Sequence, residues 1–124
     1  MSQIVSMKLL ARSPLDWVSD ELGIVPSSCR RLTGGDGGNY IWKADSGTSP
    51  LVVETEIHFA NLFKKLDLKW HILKRISETV DTPTFSVYIW IEKEDRNPII
   101  ELSTETIKRI ADINGELSID ASYS

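Results

Sequence analysis

Apolar residues recur at two different periods along this chain, and the change from one period to the other marks out its elements. Val5, Met7, Leu9 and Ala11 alternate with Ser6, Lys8 and Arg12, Leu10 being the exception, which predicts a half-buried first strand. Ser13, Pro14 and Asp16 then form a capping-box-like start to a helix whose stripe is Leu15, Val18 and Leu22, with Gly23 and Pro26 as its stop. Residues 26–39 have loop composition, rich in Ser, Gly and Arg. Tyr40, Ile41, Trp42 and Lys43 read as a short strand closed by the turn-forming run 45–50.

Val53, Ile57, Ala60 and Leu66, with Phe59, Leu62 and Phe63, predict a broad apolar helix face over residues 51–66. A second helical segment, 68–79, sets Leu68, Ile72, Leu73 and Ile76 against Lys69, Lys74, Arg75 and Glu78, so this region is two helices or one bent helix. The clearest strand is 84–92, where Phe85, Val87, Ile89 and Ile91 alternate with Ser86, Tyr88, Trp90 and Glu92. A polar turn over 93–98 would let 99–102 pair back as a hairpin arm. Ser103 or Thr104 caps a last helix with Ile107, Ile110 and Ala111 inward, ended by Asn114 and Gly115. Leu117, Ile119, Ala121 and Tyr123 then alternate with polar residues in a final strand.

Helices interspersed among these strands predict a single α+β domain over residues 1–124, a two-layer sandwich in which helices pack on one face of a mostly antiparallel sheet. A ferredoxin-like layout is the simplest such arrangement, and strand order is not specified by the pattern. The 124-residue length suits one core, and 41% hydrophobic with 26% charged residues is an ordinary globular balance.

The formal charge of −4 argues against a nucleic-acid partner, because phosphate neutralisation needs a concentrated field of Lys and Arg, and it suits a basic protein partner. Cys29 is the single cysteine, so no intrachain disulfide forms, which favours a reducing compartment. Lys8 interrupts the N-terminal apolar run and no small-residue cleavage site follows, so residues 1–12 do not read as a signal peptide. No apolar stretch is long enough to span a bilayer, and a cytoplasmic location is the expectation.

Several of these features together resemble a bacterial family, domain of unknown function 4279. The first helix ends in a Leu-Gly-x-x-Pro segment, here Leu22, Gly23, Ile24, Val25 and Pro26. A glycine-aspartate pair follows at Gly35 and Asp36, then a strand tryptophan at Trp42, a leucine-rich helical stretch similar to 54–76, and an Ile-Asp pair at Ile119 and Asp120 on the last strand. The chain departs where that family carries an aromatic two residues after the aspartate: Ser122 stands there and Tyr123 is shifted by one. The resemblance spans nearly the whole chain and implies a fold and a size, with no established activity.

Candidate chemistry is sparse. The run from Gly34 to Gly38 is glycine-rich enough to approach a phosphate, yet it neither follows a strand into a helix nor avoids a negative charge, since Asp36 sits in it. Arg30 and Arg31 could form a bidentate anion clamp, and Cys29 beside them could be nucleophilic only with an activating base, which the spacing does not supply. His58 and His71 lie thirteen positions apart, without the grouping of a zinc site or an orienting partner. Glu54 and Glu56 flank Thr55 and do not face each other as a dyad on a helix. No catalytic set, metal site or cofactor is therefore expected.

The expectation is a non-enzymatic protein-binding domain, most concretely an immunity-type antitoxin that blocks a cognate bacterial toxin with a basic active site. Its contact candidates are Asp36 and, at the projecting acidic turn, Trp90, Glu92, Glu94 and Asp95. The alternative is a small-molecule-binding or regulatory domain whose pocket, between sheet and helices, is lined by Arg30, Arg31 and Trp42. The partner's identity and the oligomeric state are not legible in the sequence.

Overall fold

The computed structural model describes residues 1–32, 39–95 and 100–123. In chain order its elements are strand β1 (Ser2–Ala11), helix α1 (Asp16–Leu22), strands β2 (Ser28–Arg31) and β3 (Tyr40–Asp45), helices α2 (Thr55–Leu66) and α3 (Trp70–Ser77), strand β4 (Thr84–Ile91), helix α4 (Thr104–Asp112) and strand β5 (Glu116–Tyr123). A 3-10 turn, Asp67–Lys69, joins α2 to α3, so the leucine-rich region is two helices.

The strands form one sheet in the order β2-β3-β1-β4-β5, with β4-β5 parallel and the other pairs antiparallel. This is the mostly antiparallel α+β sandwich that the alternating patterns predict. β1 is central because its inward set, Val5, Met7, Leu9 and Ala11, is apolar throughout and meets apolar partners on both sides: Leu9 lies opposite Trp42 and Met7 opposite Phe85. Phe59, Leu62, Phe63 and Leu66 of α2, with Leu73 and Ile76 of α3 and Val18 and Leu22 of α1, close over that face. Phe59, Phe63 and Phe85 pack as a tilted triad with centroids 5.8–6.4 Å apart.

Several boundaries differ from the sequence reading, each for a tertiary reason. Ser13 does not cap the first helix: α1 starts at Asp16, its N-cap is Leu15, and no side chain caps it. Its end is as expected, with Gly23 at φ 64°, the left-handed conformation that costs glycine nothing. The 26–39 segment contains β2, whose Ser-Cys-Arg-Arg sequence has no apolar alternation because it is an edge strand recruited by pairing with β3. Ile100 to Leu102 form no hairpin arm; β4 pairs instead with β5, brought alongside in parallel by α4. On α2, Ile57 and Ala60 face solvent and His58 takes the buried position. On α4, Thr106 and Ile110 are buried while Ile107 and Ala111 are exposed.

Polar groups fasten the layers together. Gln3, almost fully buried, donates from Nε2 to the carbonyls of Val52 (3.1 Å) and Val53 (2.7 Å) and accepts from Thr55 Oγ1 at 2.8 Å, pinning the start of α2 to β1. Ser103 caps α4 by accepting from the Thr106 amide at 3.1 Å, and Glu56 of α2 accepts from the Ser103 amide, from Ser103 Oγ at 3.2 Å and from Thr106 Oγ1 at 2.9 Å. Between α3 and α4, Asp112 accepts from Trp70 Nε1 at 2.7 Å and Lys74 Nζ at 3.0 Å. Arg109 lies over the rings of Trp70 and Phe63 and pairs with Asp67. Among the described residues no helix is long and apolar enough to cross a membrane.

Candidate functional site

The parallel register of β4 and β5 sets Trp90 beside Ser122 and Ile91 beside Tyr123 at one end of the sheet. There the chain leaves β4 into the turn 92–95, and strand ends and turn enclose a cleft of about 500 Å³ lined by Trp90, Ile91, Glu92, Lys93, Glu94, Ser122 and Tyr123. Trp90 is 41% exposed and Tyr123 70% exposed. The Tyr88 and Trp90 rings pack 4.3 Å apart at 55°, and the Tyr88 hydroxyl lies 2.7 Å from Ser122 Oγ, which fixes the aromatic wall against β5.

The turn that carries the acidic rim is built by Asp95. Its Oδ2 accepts from the Glu92 amide at 2.8 Å, its own amide donates to the Glu92 carbonyl at 2.9 Å, and its carboxylate pairs with the Met1 amine at 2.7 Å. The hydrogen bond from the amine, then that from the Glu92 amide, pulls the Asp95 carboxyl below its ordinary range. The carboxylate in turn raises the amine. Asp95 therefore holds the turn closed, while Glu92 and Glu94, both exposed, are the carboxylates that face outward. Lys93 stands between them.

Beside the cleft runs β5, which among the described residues has a strand neighbour on one side only. Its register puts Leu117, Ile119 and Tyr123 on the face shared with Phe85, Val87 and Ile91, the helix-covered side. The helical layer does not extend over them: Leu117 is 39% and Ile119 47% exposed. The sequence pattern predicted an alternating strand here, and the strand exists with its apolar face open; Ile107 of α4 is exposed as well.

Of the residues singled out for partner contact, Trp90, Glu92, Glu94 and Asp95 come together at this end of the sheet, and Asp36 lies outside the described residues. The three residues singled out for a small ligand do not come together, since Trp42 lies apart from the two arginines. Arg30 and Arg31 are consecutive on β2 and so project to opposite faces, and they border a depression of only about 100 Å³ with Asp16, Cys29 and Tyr40. Trp42 does not line it: the indole is fully buried and donates to Ser19 Oγ at 2.9 Å, tying β3 to α1. Partial burial, with Asp16 Oδ1 3.7 Å from Sγ, raises the Cys29 thiol above its ordinary value, the reverse of nucleophile activation.

His58 is fully buried, with Nε2 2.8 Å from the Val52 carbonyl, so that nitrogen carries the proton and the ring serves the α2 anchor. His71 is exposed on α3. Among the described residues no three His, Cys, Asp or Glu side chains gather in a metal-holding group. Ser122 and Tyr123 are contributors to the cleft that the sequence reading did not single out. Both lie in the alternation of 117–123, but the pairing of that segment with 84–92 was not legible in the sequence.

No curated protein and no solved structure matches the chain. One family model does, over residues 5–124, with the description Domain of unknown function (DUF4279). The Leu22 to Pro26 helix end, the buried Trp42, the leucine-rich α2-α3 pair and the Ile119-Asp120 strand all fall within that match. With nearly its whole length covered, the chain belongs to the DUF4279 family.

Proposed function

We propose that this chain is a non-enzymatic protein-binding domain of the immunity type, which sequesters a cognate basic bacterial toxin in the cytoplasm. The observation that carries the reading is the cleft at the β4-β5 end, where Trp90 from one face of the sheet and Tyr123 from the other flank Glu92 and Glu94, next to a strand that among the described residues is paired on one side only. Exposed aromatic anchors ringed by charge are the composition of interface centres, and a half-exposed tryptophan at such a centre typically contributes about 2 kcal/mol or more to binding. The net charge of −4 favours encounter with a basic surface. A strand of the partner adding to β5 would supply backbone hydrogen bonds and cover Leu117 and Ile119.

The test is co-expression with the product of the adjacent gene, scored by co-purification and by protection of cells from that product. The intact chain is expected to form a stable complex and to protect. Reversing both rim charges, Glu92→Lys with Glu94→Lys, is expected to slow association and remove its salt dependence, and Trp90→Ala to speed dissociation. Absence of both complex and protection with the intact chain would refute the reading.

A further inference from the structure

On the side away from the helices the rows of the sheet differ in chemistry. Lys8 lies directly opposite Lys43, Ser6 opposite Ser86, and Ile4 opposite Tyr88. The serines are short, so the surface sinks between the lysine row and the aromatic row. The result is a trough of about 270 Å³, with Ser6 and Ser86 as its floor, Lys8 and Lys43 at one end, and Tyr88 and Trp90 at the other.

Three details set this trough apart from an ordinary solvated sheet face. Like charges directly opposite on antiparallel strands repel; among the described residues Lys8 has no ion pair, while Lys43 Nζ forms a loose one, at 3.9 Å, with Asp45, which lies opposite Ser6. The Ser86 hydroxyl oxygen is buried without a protein hydrogen-bond partner, an arrangement with a cost that a bound acceptor or donor would remove. The Tyr88-Trp90 stack is held in place by the Ser122 contact but leaves both rings more than a third exposed.

We propose that this trough binds a small aromatic carboxylate. The carboxylate lies between the ammonium groups of Lys8 and Lys43, where it relieves their repulsion, and the Ser86 hydroxyl donates to one of its oxygens. The ring lies against Tyr88 and Trp90. Asp120, opposite Tyr88 on β5 and also lining the trough, accepts from a donor on the far side of the ring. Two inter-row steps along β1 separate the lysines from the aromatics, about 13 Å between Cα rows, which a single ring on a short acidic chain bridges once the lysine stems lean inward. The volume, at the small end of ligand sites, admits one ring and no more. The carboxylates of Asp45, opposite Ser6, and of Asp120, which lines the trough, disfavour dianions.

The experiment is calorimetric titration of the full chain with 3-(4-hydroxyphenyl)propanoate, beside the matching neutral alcohol and 3-cyclohexylpropanoate. The aromatic acid is expected to bind, and each comparator to bind about ten-fold more weakly or worse, as is the chain carrying Lys8→Met or Lys43→Met. Amide shifts in the NMR spectrum are expected to centre on residues 6, 8, 43 and 86. Ser86→Val, which fills the floor, is expected to abolish binding, and circular dichroism melts of all variants establish that they fold. No heat at millimolar acid, equal binding of acid and alcohol, unchanged affinity in the folded lysine variants, or shifts centred elsewhere would each overturn the proposal. Trp90 borders both this trough and the cleft, so the lysine variants carry the test, and their failure leaves the toxin-binding reading untouched.

Discussion

Replacing Glu56 by alanine removes a single side chain that joins the two halves of the helical layer. Its carboxylate accepts from the Ser103 amide, Ser103 Oγ and Thr106 Oγ1, so it bonds both to the cap residue of α4 and to that helix's first buried side chain. Hydrogen bonds to a charged group contribute about 1.5–3 kcal/mol each when water cannot replace the partner. Ser103 is exposed and water will largely replace its two contacts, whereas Thr106 is buried and keeps only its 3.2 Å contact with Ser103 Oγ. The expected cost is therefore dominated by one bond, about 2 kcal/mol, or a fall in Tm of about 8 °C for a domain of this size. Urea unfolding followed by circular dichroism measures it. Glu56→Gln, which keeps an acceptor without the charge, should lose about half as much. Ser103→Ala should cost about 1 kcal/mol alone, and less than that once Glu56 is already alanine, because the two share one network. A Glu56→Ala chain within about 0.5 kcal/mol of the parent, or strict additivity with Ser103→Ala, would refute the reasoning.

Gly115→Ala should destabilise by about 1–3 kcal/mol in the same assay, since the added methyl would stand 3.1 Å from the Ile110 carbonyl and 3.2 Å from the Phe85 ring. The Asp112 carboxyl is lowered from its ordinary 3.8, first by the Trp70 indole N–H and then by Lys74, so its folded form binds a proton less readily than its unfolded form. The stabilisation it contributes is present above pH 3.8 and is lost as pH falls through the lowered folded value; stability measured from pH 6 to pH 2 should fall less steeply in Asp112→Asn than in the parent. The Cys29 thiol, raised by burial and then by Asp16, should react with iodoacetamide at neutral pH more slowly than a free thiol, and Asp16→Asn should speed it; a parent rate above that of free cysteine would contradict the reading.

What the residue pattern determined by itself is the set of elements with a strong one-sided apolar repeat. β1, β4 and the α2-α3 pair are legible because burial of one face imposes a period of two or 3.6 on the sequence, β5 by its alternation although its face stays open, and the Gly23 stop and Ser103 cap by the chemistry of helix ends. Only the tertiary structure decided which strands are neighbours. β2 has no such period, since its pairing with β3 rests on backbone hydrogen bonds that any side chain permits, and β4 chose β5 over the 100–102 segment because α4 delivers β5 alongside in parallel. The same division holds for the sites. The acidic turn with Trp90 was visible because its members are consecutive, whereas the Tyr123 wall of the cleft and the Lys8-Lys43-Ser86 trough join residues from separate strands. Trp42 could be taken for a pocket residue or a core residue until its neighbours were known. A side chain's chemistry is written in the chain, but whether it meets solvent is decided by what the rest of the chain packs against it.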